Sequence, residues 1–410
     1  MRRAARSQGA FPKLALLMCL GSVFAACALL YAPLRAEFLK IEPWTADWRT
    51  MLLSDRTTGG HTGLAVVLIN QETLAGYPYH SPTPRNLLAS VVKAVDAAEP
   101  AAIGLDIYFM RPTEPENDEA FVRAITEARA REGRADKVVL AAVNETAGQF
   151  GESERRFQRQ FLAKTGAPVG FLNLRREQDD VVRYTSPPPP GTEFPKSFAF
   201  LIARATLGSI AEPKAPDSTR IAWLLRENYS PESFPVVFAH DLLPAAGDAK
   251  VAAARAQLKG KAVLIGNDRP YIDRHRTPFS AKSGDEMLGV MVHAHITAQL
   301  LDGRSYAELD DRWAPVLIGG LAVFGLLLGW IFWEQRLDLT GRSIATLALV
   351  AIDAFIYAQL RIILPFTLAL TAWLIGVTCG HHLRAIVSWA LEQARLRTSS
   401  SQRAFQQQAS

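Results

Sequence analysis

Residues 65–69, Ala65-Val66-Val67-Leu68-Ile69, form a run without a single polar side chain. A strand with one wet face would alternate apolar and polar residues. A strand apolar on both sides must be covered on both, the pattern of a parallel sheet between helices. Downstream, Asn86–Ala98 has helical spacing, with Leu87, Leu88, Val91, Val92 and Val95 on one side. Ala101–Ile107 is a second buried strand, ending in Asp106. Asp118–Ala130 is a second helix, with acids at the end where the helix dipole favours them. Val138–Val143 is a third strand. Pro168–Leu172 and Ala262–Gly266 read as further strands, Phe198–Thr206 and Val292–Leu301 as helices. The alternation predicts an α/β domain with a mainly parallel sheet flanked by helices.

Outward from this middle, the composition changes. The 410 residues are 49% hydrophobic and 21% charged, but the apolar residues gather at Leu14–Ala32 and from Trp313 to Cys379. Four membrane-spanning helices are expected: 14–32, 313–333, 343–360 and 362–380. Leu14–Ala32 is long enough to span, and Trp313 and Trp333 suit the two interfaces of the second span. A cleaved signal peptide is the competing reading of the first run. Residues 33–312 are then an extracytoplasmic domain, 1–13 a basic cytoplasmic N-terminus and 381–410 a short cytoplasmic tail. Arg2, Arg3, Arg6, Lys13, Arg384, Arg395, Arg397 and Arg403 flank the outermost spans. These eight charges exceed the net +5 of the whole chain. The basic balance is therefore an orientation signal with both termini inside, not a footprint for nucleic acid. Cys19, Cys27 and Cys379 all fall in apolar spans, so the exported domain has no disulfide. Asp353 interrupts the third span and reads either as a functional intramembrane acid or as a group bonded within a helix bundle.

With these elements in order, the chain resembles the CHASE type-2 sensory domain family, the extracytoplasmic sensor found with cyclases and histidine kinases. Asp47-Trp48-Arg49 precedes the first strand, and Ser81-Pro82-Thr83-Pro84-Arg85 leads into the first helix. Ile103-Gly104-Leu105-Asp106-Ile107-Tyr108-Phe109 resembles the family's strand ending in an aspartate. Gln178-Asp179-Asp180-Val181-Val182-Arg183 resembles its acidic turn before an arginine, without the usual glycine. Leu258-Lys259-Gly260-Lys261-Ala262-Val263-Leu264-Ile265-Gly266 is the most specific block. Asp273, Thr277-Pro278 and Gly289-Val290-Met291-Val292-His293-Ala294-His295 follow. One span, the sensor and then three spans is the family's usual plan. The resemblance implies a sensor, here without a catalytic output domain.

Parallel α/β sheets bind ligands at the carboxyl ends of their strands. Asn70, Asp106, Asn144, Asn267 and Asp268 stand at those ends, and with Arg85 and Asp273 they are the candidate ligand-binding residues. The same residue types also cap helices and satisfy loop backbone, so both readings stay open. Asp106 faces a cleft or pairs with a buried arginine such as Arg85. Asp273, His275, His293 and His295 do not make a metal set: two histidines two apart share a face on a strand but not on a helix. No catalytic motif is present, so no enzyme activity, cofactor or metal is expected. The leading reading is an integral inner-membrane sensor. It binds a small ligand or periplasmic protein and signals to a separate cytoplasmic partner, with a homodimer left open. An envelope scaffold that holds a periplasmic partner without signalling is the alternative, and an exported hydrolase a third reading.

Overall fold

The computed structural model describes residues 32–130, 136–144, 150–188, 191–210, 219–310, 312–331 and 338–408, together with Leu17. The expected first span, 14–32, therefore lies outside the described residues except at Leu17 and Ala32. The chain divides into an α/β unit, Thr50–Tyr306, and a helical unit that joins the segment up to Arg49 with the chain from Ala307 onward.

Six strands build the central sheet of the α/β unit: β1 (Leu64–Ile69), β2 (Ala102–Asp106), β3 (Val138–Ala142), β4 (Val169–Phe171), β5 (Val236–Phe238) and β6 (Ala262–Asn267). Their order is β4-β3-β2-β6-β1-β5, and every pairing is parallel. Every residue of β1 is buried, which is why its sequence does not alternate. β5 has no counterpart in the sequence reading, because three residues behind Pro235 are too few to display a period.

The sheet's two faces carry different helices. Ala65, Val67, Ile69, Ile103, Leu105, Val263 and Ile265 pack under α2 (Arg85–Asp96), α3 (Pro115–Ala130), α4 (Glu152–Thr165) and α6 (Asp248–Leu258). Leu64, Val66, Ala102, Val139 and Leu264 pack against α5 (Phe198–Leu207) and α7 (Gly289–Leu301). β1 and β2 thus send the chain to one face, while β6, lying between them, sends it to the other. Strand ends of this kind splay apart and leave a crevice at the carboxyl edge. Asp106 lies there, paired in register with Gly266 of β6.

The helical unit holds part of α1 (Ala32–Leu53), then α8 (Ala314–Ile331), α9 (Asp338–Phe355) and α10 (Phe366–Gln408). Three stretches, Ala314–Ile331, Thr340–Leu360 and Phe366–Ser400, are long and apolar enough to cross a membrane. The fourth expected span is corrected at its start. Ile362–Ile363 pair instead with Ala307–Glu308 as a short parallel ladder, and Pro365, which has no N–H to donate, stands just ahead of the helix. α10 then continues past Gly380 without a break to Gln408.

Glycines set how α8 and α10 pack. A Cβ at Gly325 would lie 2.5 Å from the Trp373 carbonyl and one at Gly329 2.1 Å from that of Val377. Reciprocally, Gly376 and Gly380 would clash with the carbonyls of Ala322 and Leu326 at 2.1 and 2.0 Å. Contacts that advance together along both helices make the pair parallel, as the first and third members of an up-down-up hairpin must be. Two Gly-x-x-x-Gly motifs thus bring the backbones into contact, which in lipid replaces the hydrophobic drive for association.

Candidate functional site

Most rim residues hold the scaffold together. Asn70 Oδ1 accepts from Thr73 N at 2.9 Å and Thr73 Oγ1 at 2.8 Å, capping the short helix Gln71–Leu74. Asn144 Nδ2 donates to the Phe194 carbonyl at 2.8 Å, and its backbone exchanges hydrogen bonds with the Asn173 amide. Asn267 Oδ1 accepts from Thr83 Oγ1 at 3.2 Å. Asp268 forms an ion pair with Arg274 at 2.8 Å. Each has bonds inside the protein that account for its residue type.

Arg85 is scaffold as well. Its guanidinium is fully buried, donates to the Thr83 and Arg111 carbonyls and lies 3.4 Å from Asp118. It also stacks over Phe109, 4.7 Å from the ring centre. Its carboxylate partner is Asp118, on α3, and not Asp106.

Asp106 is different. The residue is only 8% exposed, and its Oδ2 is buried without a hydrogen-bond partner. Burial, reinforced by the nearby Asp273 charge, holds its carboxyl well above the usual range. Asp273 comes from the loop after β6 and takes the left-handed conformation, φ 52°. Its carbonyl accepts from Gly289 N at 2.9 Å. Any side chain at Gly289 would collide with the Asp273 carboxylate, since a Cβ would sit 2.3 Å from Oδ2. That contact explains the glycine at the head of α7.

A short relay steers Asp273. Arg176 Nη2 lies 3.2 Å from His275 Nδ1, and His275 Nε2 lies 2.9 Å from Asp273 Oδ1. An arginine only donates, so Nδ1 accepts, Nε2 carries the proton, and that proton faces Asp273. Burial raises the Asp273 carboxyl, but the hydrogen bond from His275 and the nearby Arg176 outweigh it and leave it low. One corner thus holds two carboxyls pushed in opposite directions, Asp106 up and Asp273 down. Tyr108, 44% exposed, is close enough to feel both charges. Tyr108, His275 and Arg176 are absent from the candidate ligand residues read from sequence. The signal for His275 was the i, i+2 spacing from Asp273, which puts both on one side of an extended segment.

The other two histidines are structural. His293, on α7, meets Phe198 edge-on at 6.0 Å and bonds to the Leu172 backbone; burial pushes it down to about 4. His295 accepts from Leu224 N on Nδ1 at 3.3 Å, so Nε2 carries the proton given to the Pro231 carbonyl at 3.1 Å. Burial beside Trp223 and Phe234 pushes its pKa down to about 3. Among the described residues no three His, Cys, Asp or Glu side chains converge on a metal position.

The acidic turn read from sequence closes on Arg183. That side chain is 2% exposed, reaches Glu177 at 2.7 Å, and grips both oxygens of Asp179 at 2.9 and 2.7 Å. Asp180 stands at φ 62°, a conformation glycine takes without strain. The family model of the CHASE2 domain matches residues 22–333. The chain belongs to the CHASE2 domain family. CHASE2 is an extracellular sensory domain family, and the match reaches through α8. Comparisons with curated proteins and with solved structures return no match. Within this CHASE2 domain, the aspartate that ends β2 is the rim residue whose chemistry the fold itself leaves incomplete.

Proposed function

We propose that the chain is an integral inner-membrane receptor whose CHASE2 domain lies outside the membrane and binds a small ligand at the carboxyl rim of its sheet. One observation carries the reading: a buried carboxyl, Asp106, with an oxygen that meets no donor, at the strand-end crevice where parallel α/β sheets bind ligands. An unsatisfied buried polar atom costs about 1–3 kcal/mol. A ligand that supplies the missing donor recovers that energy, so the bound state is favoured.

The signal passes to a separate cytoplasmic protein, because a ligand acts only through different affinities for two arrangements of the protein. Both termini are cytoplasmic in this reading, and the exported domain itself performs no catalysis. The test is a thermal-shift screen of the full chain in detergent against pools of small periplasmic metabolites, run in parallel on Asp106→Asn. Pools that stabilise the native chain but not the variant support the reading. Stabilisation that is equal in both moves the binding site elsewhere.

A further inference from the structure

The unmet requirement at Asp106 also limits what the ligand is, on the reading that the rim is a ligand site. We propose that the Asp106–Asp273 corner binds a small organic molecule through a protonated amine.

Four observations carry this. First, the protein's own cations near the corner are engaged. Arg85 pairs with Asp118, Arg274 with Asp268, and Arg176 with His275 and Asp180. Arg176 contributes to lowering Asp273, but among the described residues no cation is hydrogen-bonded or ion-paired to Asp106. Second, the two carboxyls differ in access. Asp106 is nearly closed off, whereas the Asp273 side chain is 39% exposed. A donor that meets both must reach one buried oxygen and one exposed oxygen. An ammonium is compact and has three diverging N–H groups, so it can donate inward, sideways and outward at once. A planar guanidinium needs a flat, forked partner. Third, Tyr108, 44% exposed as a residue, stands close enough to both carboxyls to feel their charges, and an aromatic ring is a group that favours a cation. Fourth, a hard divalent cation asks for six or more oxygens, and no third acidic or imidazole ligand converges here among the described residues.

The groups that face the corner set its proton balance. They are Asp106 from β2, Tyr108 after it, Asp273 and His275 from the loop after β6, His293 from α7, and Arg176 from the neighbouring hairpin. Without ligand, burial favours the protonated form of the Asp106 carboxyl. An arriving ammonium favours the carboxylate, so binding expels that proton to solvent. Proton release separates this mode from unspecific attraction of amines to an acidic surface.

The experiment uses the full chain in detergent at neutral pH with millimolar n-butylamine, and with n-butanol and n-butyrate as neutral and anionic probes of similar size. The expected result is a saturable rise in melting temperature with n-butylamine alone, weakened about tenfold in apparent affinity by Asp106→Asn. Calorimetric heats of binding should change with the ionisation enthalpy of the buffer for the native chain and not for the variant. Asp273→Asn, at an exposed position, gives the same weakening and serves if Asp106→Asn fails to fold. Equal shifts from n-butylamine and n-butanol, or an unchanged n-butylamine response in both variants, overturn the ammonium assignment. So does a shift from calcium alone that both variants abolish. If n-butyrate or a neutral metabolite stabilises the native chain but not Asp106→Asn, the ammonium is wrong and the rim site stands. If every stabilising compound acts equally on native and variant chains, the rim reading falls too.

Discussion

Arg49 and Asp353 stand 304 positions apart in the chain, and their side chains meet at 3.1 Å. Asp353 is 4% exposed and follows the apolar run Leu347–Ile352 of α9. Arg49 Nη1 also donates to the Leu364 carbonyl, and Nη2 reaches Glu42 at 2.9 Å. Glu42 in turn accepts from Thr367 N and Leu368 N at the start of α10, where free N–H groups and the helix dipole favour an acid. Of the two readings of Asp353, the structure gives the acid bonded within a helix bundle. Its partner is an arginine of the Asp47-Trp48-Arg49 segment, which gives that segment a physical role.

Removing Arg49 leaves the Asp353 carboxyl buried without its cation, at a cost of about 3–5 kcal/mol, whereas removing Asp353 leaves Arg49 with Glu42. Arg49→Met should therefore lower the melting temperature of the full chain in detergent markedly, and Asp353→Leu should lower it less. The double variant Arg49→Met/Asp353→Leu should recover most of the loss. A double variant as unstable as the sum of the singles would show that the two side chains are not coupled.

The glycine contacts give a contrast along a single helix. Gly325→Ala and Gly329→Ala place a methyl against backbone carbonyls, and should loosen the α8–α10 pair. Gly320 has nothing within 4 Å of its Cβ position, so Gly320→Ala should be neutral or stabilising by up to about 1 kcal/mol through helix propensity alone. Melting curves of the three variants check this. Equal losses at all three would mean that propensity, not close approach, explains these glycines.

Stability should depend on pH from two sides. The Asp106 carboxyl is held above its ordinary value of 3.8 by burial and then by Asp273. Its favourable share is present below 3.8 and is lost as pH rises through the folded value. Asp106→Asn should therefore gain on the native chain as pH rises above 3.8 and reach a plateau. The buried histidines act in the other direction. With folded values pushed by burial to about 4 for His293 and about 3 for His295, against an ordinary 6.5, their share is present above 6.5 and is lost as the pH falls through those values. Denaturant titrations at several pH values measure both slopes. A flat difference between native chain and Asp106→Asn from pH 4 to 8 would place the Asp106 carboxyl in water.

His295 bridges Leu224 N and the Pro231 carbonyl, so His295→Ala leaves two buried backbone groups without partners. A loss of about 2–4 kcal/mol is expected. His275, whose side-chain contacts are to Arg176 and Asp273 and not to backbone groups, should cost less when replaced by alanine, yet should alter ligand response through Asp273. A reversed ranking of the two would place His275 in the core.

Much of the α/β unit was legible because its strands are buried on both faces. β1, β2, β3 and β6 each form an unbroken apolar run, and nothing but a covered parallel strand calls for that in so few residues. β5 escaped because it is an edge strand of three residues. The site was legible as a rim and not as a site. Strand ends told where Asn70, Asp106, Asn144 and Asn267 would stand; the partner of Asn70, Thr73, is local, but those of Asn144 and Asn267, Phe194 and Thr83, come from separate loops. The same limit hid the link between Arg49 and Asp353. Periodicity within one helix carries no information about which residue on another helix will face it.

The central claim is that Asp106 at the crevice between β2 and β6 receives the ligand of this CHASE2 domain. The most direct measurement is the melting temperature of the native full chain and of Asp106→Asn across one panel of cationic, neutral and anionic small molecules at neutral pH. The account predicts that Asp106→Asn is at least as stable as the native chain when no ligand is present, and that compounds stabilising the native chain lose their effect on the variant. A variant that is strongly destabilised, yet still stabilised by the same compounds, would contradict it and make Asp106 part of the scaffold.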